Sequence, residues 1–168
     1  QITFVKMNVL VVENEHPAAD KIVRLLKKLD KSIVVMDVIE TVEEVINRLQ
    51  ENPQPDLILM DIQLDDGLCF EIFDTVNIDI PVIFTTAYDQ YAIKAFEINA
   101  IDYLLKPFSL ERFKESVNKV MLRNDSGKSH NDTFKELKDH FDHKEEVINR
   151  IVVKSRNSIF VLPVHQVN

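Results

Sequence analysis

Short, nearly all-apolar runs alternate along this chain with stretches whose apolar residues recur every three or four positions. Met7–Val12, Ile33–Ile39, Leu57–Met60, Pro81–Thr86 and Ile101–Leu105 are rich in β-branched and aliphatic side chains, the pattern of strands buried on both faces. Between the first two, Ala18, Ile22, Leu25, Leu26 and Leu29 predict a helix, with Pro17 suited to its first turn. Thr41-Val42-Glu43-Glu44 predicts a capping box that opens a second helix through Gln50, and Pro53-Gln54-Pro55 ends it. Asp65-Asp66-Gly67 reads as a turn, followed by a helix over Leu68–Val76. A fourth helix is predicted over Tyr88–Asn99, with Ala92, Ala95 and Phe96 on one side. Ser109 can cap a fifth, Leu110–Leu122, with Phe113, Val117 and Val120 inward. Five βα units in succession predict a doubly wound α/β domain over residues 7–123, its parallel sheet covered by helices on both faces.

The pattern changes afterwards. Residues 124–149 are polar and read as a linker, with Thr133–Phe141 as a candidate short helix. In residues 150–168, Ile151–Lys154 and Ile159–Leu162 predict two strands joined across Ser155-Arg156-Asn157-Ser158. A lone hairpin buries too little to be stable by itself, so this piece reads as part of something larger. At the other end, the chain reaches methionine only at Met7, which makes residues 1–6 either an added leader or a trimmed native extension.

Composition narrows the classes. Apolar residues make up 45% of the chain, enough for a core without disulfide or metal staples. The single cysteine, Cys69, cannot pair within the chain, and it reads as core filling. No membrane span or secretory signal is apparent, and the expectation is a cytoplasmic protein. The net charge of −8 falls entirely within residues 1–123, and residues 124–168 are neutral. An acidic front domain is a poor nucleic-acid binder on its own.

In an open α/β sheet, ligands bind beyond the carboxyl ends of the strands. Those ends carry Glu13 and Asn14 after the first strand, Asp61 after the third, Thr86 at the fourth and Lys106 after the fifth. Such a set suits phosphoryl transfer. A carboxylate can be the nucleophile, oxygen donors can hold a hard dication, and an ammonium and a hydroxyl can steady phosphoryl oxygens.

The segments Val9-Leu10-Val11-Val12-Glu13-Asn14-Glu15, Leu59-Met60-Asp61-Ile62-Gln63-Leu64-Asp65-Asp66-Gly67, Phe84-Thr85-Thr86-Ala87 and Asp102-Tyr103-Leu104-Leu105-Lys106-Pro107-Phe108 resemble the signature blocks of response-regulator receivers, in the right order and spacing. The resemblance implies a flavodoxin-like (CheY-like) fold with strand order 2-1-3-4-5. It implies Asp61 as phosphoacceptor for a sensor histidine kinase, with Thr86 and Lys106 on the phosphoryl group. It also implies Mg2+ held by Glu13, Asn14, Asp61 and the backbone carbonyl of Gln63, and a switch through Thr86 and Tyr103. Ala87-Tyr88-Asp89-Gln90-Tyr91-Ala92-Ile93-Lys94-Ala95-Phe96 and the block around Tyr103 are similar to the LytR/AlgR (LytTR) subfamily. The tail from Arg150 to Val164 resembles the first strands of a LytTR DNA-binding domain and stops well short of a complete one. DNA would then be read by the full-length output domain and not by this fragment. A homodimer through the fourth helix, fifth strand and fifth helix is expected, with Lys94, Asp102, Glu111, Arg112 and Lys114 offering both signs of charge.

One position departs from the family pattern. Asn14 stands where the second acid of the pair is usual. Two rivals to the signalling module follow: a pseudo-receiver that binds partners without phosphate, and an aspartyl-phosphate hydrolase. The hydrolase expects a second acid two residues after the nucleophile, where this chain has Gln63. The expectation is therefore a regulator and not an enzyme.

Overall fold

A computed structural model describes residues 6–125, with side chains through residue 123, and the backbone of Arg150–Ser155 and Ser158–Pro163. The chain divides into two compact units, one within Gln1–Phe134 and the other within Lys135–Asn168. In the first unit, β1 (Met7–Val12), β2 (Ile33–Ile39), β3 (Leu57–Met60), β6 (Val82–Thr86) and β7 (Asp102–Leu105) form one parallel sheet in the order β2-β1-β3-β6-β7. Counted along this sheet alone, that is the expected 2-1-3-4-5. Among the described residues of this unit, β4 (Gln63–Leu64) and β5 (Gly67–Leu68) form a small antiparallel hairpin around Asp65-Asp66.

The all-apolar runs behave as their composition dictates. Every residue of β3 and the span Val9–Val12 of β1 are fully buried, because helices cover both faces of the sheet. Helix α1 (His16–Leu29) buries Ala19, Ile22, Leu25 and Leu26, so Ala19 takes the inward place that the sequence reading gives to Ala18. Helix α5 (Leu110–Asp125) turns Phe113, Val117 and Val120 into the same core, and Ser109 Oγ accepts from the Arg112 N–H at 3.1 Å. Helix α2 (Val42–Arg48) has a doubly secured start. Thr41 Oγ1 accepts from the Glu44 N–H at 3.2 Å, while Asp66 accepts from the N–H groups of Val42 and Glu43 at 2.6 and 3.1 Å. Three otherwise orphaned donors of its first turn are thereby satisfied.

Two helices are shorter than their periodicity predicts. Helix α3 spans Phe70–Thr75 because Leu68 pairs with Gln63 in the hairpin and the Cys69 N–H donates to Ile62 O at 2.9 Å. Helix α4 spans Ala92–Glu97. Its predicted first turn is instead loop, with the Tyr88 N–H on Thr86 Oγ1 at 3.3 Å, and Asn99 ends it with φ 59°. Asparagine tolerates that left-handed conformation better than most residues.

The second unit contains β8 (Arg150–Ser155) and β9 (Ser158–Pro163), an antiparallel pair that aligns Arg150 with Pro163 and Ser155 with Ser158. Both predicted tail strands are present. Helix α5 runs two residues into the predicted linker; the rest of that linker, residues 1–5 and residues 164–168 lie outside the described residues.

Asp102 requires a correction. The sequence reading places it among the surface charges of a dimer face, but its side chain is fully buried at the start of β7. Arg112 donates to both its carboxylate oxygens at 2.7 Å, and Ser116 and Lys119 donate to Oδ2 at 2.5 and 3.2 Å. These bonds tie α5 to β7 within one chain. Burial alone would raise the carboxyl pKa, but the Arg112 fork, Ser116 and Lys119 hold it below its ordinary value. Asp102→Ala should lower unfolding stability in urea by about 3–4 kcal/mol, the lower part of the range for buried pairs because Arg112 keeps some contact with solvent. With a depressed native pKa, the unfolded chain binds more protons as pH falls below about 4. The wild type should therefore lose stability across that acid range, and Asp102→Asn should lose less.

Candidate functional site

Strand ends build the site. The Glu13 N–H donates to Ile39 O at 2.8 Å, continuing the β1–β2 ladder one residue past β1, and the Asp61 N–H does the same with Val12 O at 2.8 Å. Glu13 and Asp61 are thereby carried on neighbouring strands at the carboxyl edge, and both are buried. The Lys106 N–H donates to Thr86 O at 2.8 Å, which extends the β6–β7 ladder and brings the lysine to the same edge. Its Nζ lies 2.6 Å from Glu13 Oε2 and 2.8 Å from Asp61 Oδ2. One ammonium bridges two carboxylates whose residues stand 93 and 45 positions away in sequence.

The electrostatics follow from this bridge. Burial pushes the Glu13 carboxyl above its ordinary range, and the hydrogen bond from Lys106 pulls it back only in part. Burial alone would lower the Lys106 pKa, but its hydrogen bonds to Asp61 and Glu13 lift it above its usual value. The lysine is therefore held charged. Other contacts fix the carboxylates: Asp61 Oδ1 accepts from the Ile62 N–H at 2.5 Å, and Glu13 Oε1 from the Glu15 N–H at 3.1 Å.

The other predicted residues have these surroundings. Thr86 is fully buried at the end of β6. Asn14, partly exposed, donates through Nδ2 to Asp65 Oδ1 at 2.9 Å. Gln63 is in β4, two residues beyond Asp61. Tyr103 is already turned inward, 4% exposed, with its hydroxyl donating to the Tyr88 backbone carbonyl and its ring 6.4 Å from Phe84. Burial pushes both its phenol and the Cys69 thiol up in pKa, which leaves Cys69 an unreactive part of the core. Lys94, Glu111 and Lys114 are exposed, and Lys94 Nζ stands 4.4 Å over the Phe70 ring. Sequence reading did not find the contact made by Asp65 or the capping role of Asp66, since both are side-chain meetings across long separations.

A Mg2+ ion fits the chemistry of the donors. Glu13, Asp61, the Asn14 amide and the Gln63 carbonyl offer only oxygen to a cation, the preference of a hard dication. Among the described residues, no group of three or more His, Cys, Asp or Glu side chains forms a metal cluster. With Asn14 in place of a third carboxylate, such a set of donors would carry one formal negative charge fewer.

Comparisons with known proteins now decide the family. The model of the response regulator receiver domain matches residues 9–118. The chain belongs to that family. LytT of Bacillus anthracis, a sensory transduction protein, is 40% identical over 116 residues, covering 67% of this chain and 46% of LytT. LytR of Staphylococcus epidermidis is 37% identical over 131 residues, covering 76% of this chain and 51% of that protein. This receiver is therefore of the LytR type, and it spans about half the length of the curated relatives it matches. Among solved structures, the response regulatory domain of MrkE from Klebsiella pneumoniae superposes with a TM-score of 0.61 at 27% identity, over 69% of this chain and 96% of that one. The non-phosphorylated HemR receiver from Leptospira biflexa gives 0.58 at 26% identity, over 68% and 94%. Among the described residues, no helix of the receiver is long and apolar enough to cross a membrane.

Removing the bridging ammonium should expose its structural worth. Without divalent metal, Lys106→Met should lower stability by about 2–3 kcal/mol, because it strands a buried Glu13 charge beside Asp61. Adding Glu13→Gln should recover most of that loss in the double variant, as read by urea unfolding.

Proposed function

We propose that this receiver accepts a phosphoryl group on Asp61 from a sensor histidine kinase and passes the change to a DNA-binding output. The observation that carries the reading is the bridge from Lys106 to Asp61 and Glu13 at the carboxyl edge of a receiver sheet. In the step proposed, a carboxylate oxygen of Asp61 attacks phosphorus. A P–O bond forms as the P–N bond to the donor imidazole breaks, and its electron pair stays with the imidazole nitrogen. Lys106 then steadies a phosphoryl oxygen, and the Thr86 hydroxyl, which now accepts from the Tyr88 N–H, turns toward another. Mg2+, held by Glu13, Asn14, Asp61 and the Gln63 carbonyl, would supply charge neutralisation for the phosphoryl oxygens.

Tyr103 offers the outward route. Its hydroxyl is bonded to the backbone of Tyr88, in the segment between Thr86 and α4. A shift of Thr86 therefore pulls on the same segment that Tyr103 holds. The face of α4, β7 and α5 that this moves exposes Ile93, Lys94, Leu110, Glu111 and Lys114, a mixture suited to a weak two-fold dimer. Residues 150–168 are read as the beginning of a LytTR-type DNA-binding domain, with DNA bound through the full-length protein in the cytoplasm. Asn14 favours a second reading, a pseudo-receiver that works without phosphate.

Incubation with a small phosphodonor and Mg2+, followed by intact-mass measurement, separates the two. The wild type should gain one phosphoryl group, Asp61→Asn none, and Asp66→Asn should still gain it. A wild type that never gains mass supports the pseudo-receiver. For the dimer, a beryllofluoride mimic should raise the sedimentation mass at tens of micromolar protein, and less so at high salt.

A further inference from the structure

An amide has one end that ligates a hard cation and one end that cannot, whereas a carboxylate has no wrong end. Placing asparagine at position 14 therefore removes a charge and also creates an orientation problem. The structure contains an answer to the second part. Asn14 Nδ2 donates to Asp65 Oδ1 at 2.9 Å, across 51 positions of sequence. The reverse orientation would set the amide oxygen against a carboxylate oxygen, two acceptors with no proton between them.

Asp65 is itself held in place. It occupies the turn between β4 and β5, its N–H donates to Glu40 O at 3.2 Å, and its neighbour Asp66 is bound to the first turn of α2. We infer that Asp65 is a positioning residue for the metal site: it takes up the donor end of the Asn14 amide, so that Oδ1 is the end left to a cation. This rests on the metal reading proposed above. A donor bond to a carboxylate also shifts electron density toward the amide oxygen, as outer partners do for other ligands. Asp65 adds a negative charge near a site where Lys106 already offsets one of two carboxylates. Because Asp65 is exposed, solvent and salt screen that charge, and orientation is the larger part of its effect.

The test is Mg2+ titrated calorimetrically into the whole chain without phosphodonor. Asp65→Ala, which removes acceptor and charge together, should weaken binding about tenfold. Asp65→Asn keeps an acceptor and should fall between Asp65→Ala and the wild type. Asp66→Asn makes the same charge change one residue away and should stay within twofold of the wild type. Adding Asn14→Asp to Asp65→Ala should restore the affinity, since a carboxylate needs no orienting partner. Thermal melts of each variant establish that it is folded, as expected for changes at an exposed turn. Affinity in Asp65→Ala within twofold of the wild type overturns the inference and leaves the metal reading standing. Equal weakening by Asp65→Asn and Asp66→Asn also overturns it, because a diffuse charge effect would then suffice. A wild type that binds no Mg2+ overturns both readings.

Discussion

Two ionised carboxylates at the buried end of a parallel sheet repel one another, and in this receiver the cation set between them is Lys106. Like charges a few ångströms apart cost on the order of a few kcal/mol at intermediate dielectric. The ammonium at 2.6 and 2.8 Å turns that repulsion into a three-group network. Much of the architecture serves that meeting. The ladders β1–β2, β1–β3 and β6–β7 each continue one residue past their strand, so that Glu13, Asp61 and Lys106 arrive with their backbones already bonded. Apolar packing beneath the site, with β3 wholly buried, keeps it low in dielectric and makes the balance strict.

How much of this the sequence made legible depended on distance along the chain. Strand ends could be read because each lies beside its own apolar run, and a parallel sheet gathers them at one edge whatever the details of packing. The fold class, the strand order and both tail strands followed from the same logic or from the family blocks. Misreadings arose where local pattern met tertiary bonding. Tyr88–Tyr91 has helical amphipathicity, yet the bond from the Tyr88 N–H to Thr86 takes that turn out of α4. Leu68 fits the predicted third helix, yet it pairs across the hairpin with Gln63.

Asp102 illustrates the opposite difficulty. Charge in a sequence suggests solvent, and nothing local reports that Arg112, ten residues later, will reach back from α5 to enclose it. The pair gives α5 a fixed seat on β7. It also removes from the α4–β7–α5 face two of the charges that a reading by composition would count as available. What stays exposed there is more apolar than expected, with Ile93 and Leu110 beside Lys94, Glu111 and Lys114.

The turn at Asp65-Asp66 has a consequence for how such a loop can evolve. Two adjacent acids reach in different directions, one to Asn14 and the other to the amides of Val42 and Glu43. In a hairpin, the length of the connection selects the turn type, so an insertion into this two-residue turn would change its backbone geometry. One added residue would alter the directions in which the two acids leave the turn, and with them the bonds to Asn14 and to the start of α2. This is a part of the surface where length is constrained more tightly than composition, although loops ordinarily tolerate added residues well. A longer connection at this place in the chain would need α2 capped, and the Asn14 amide accompanied, by other means.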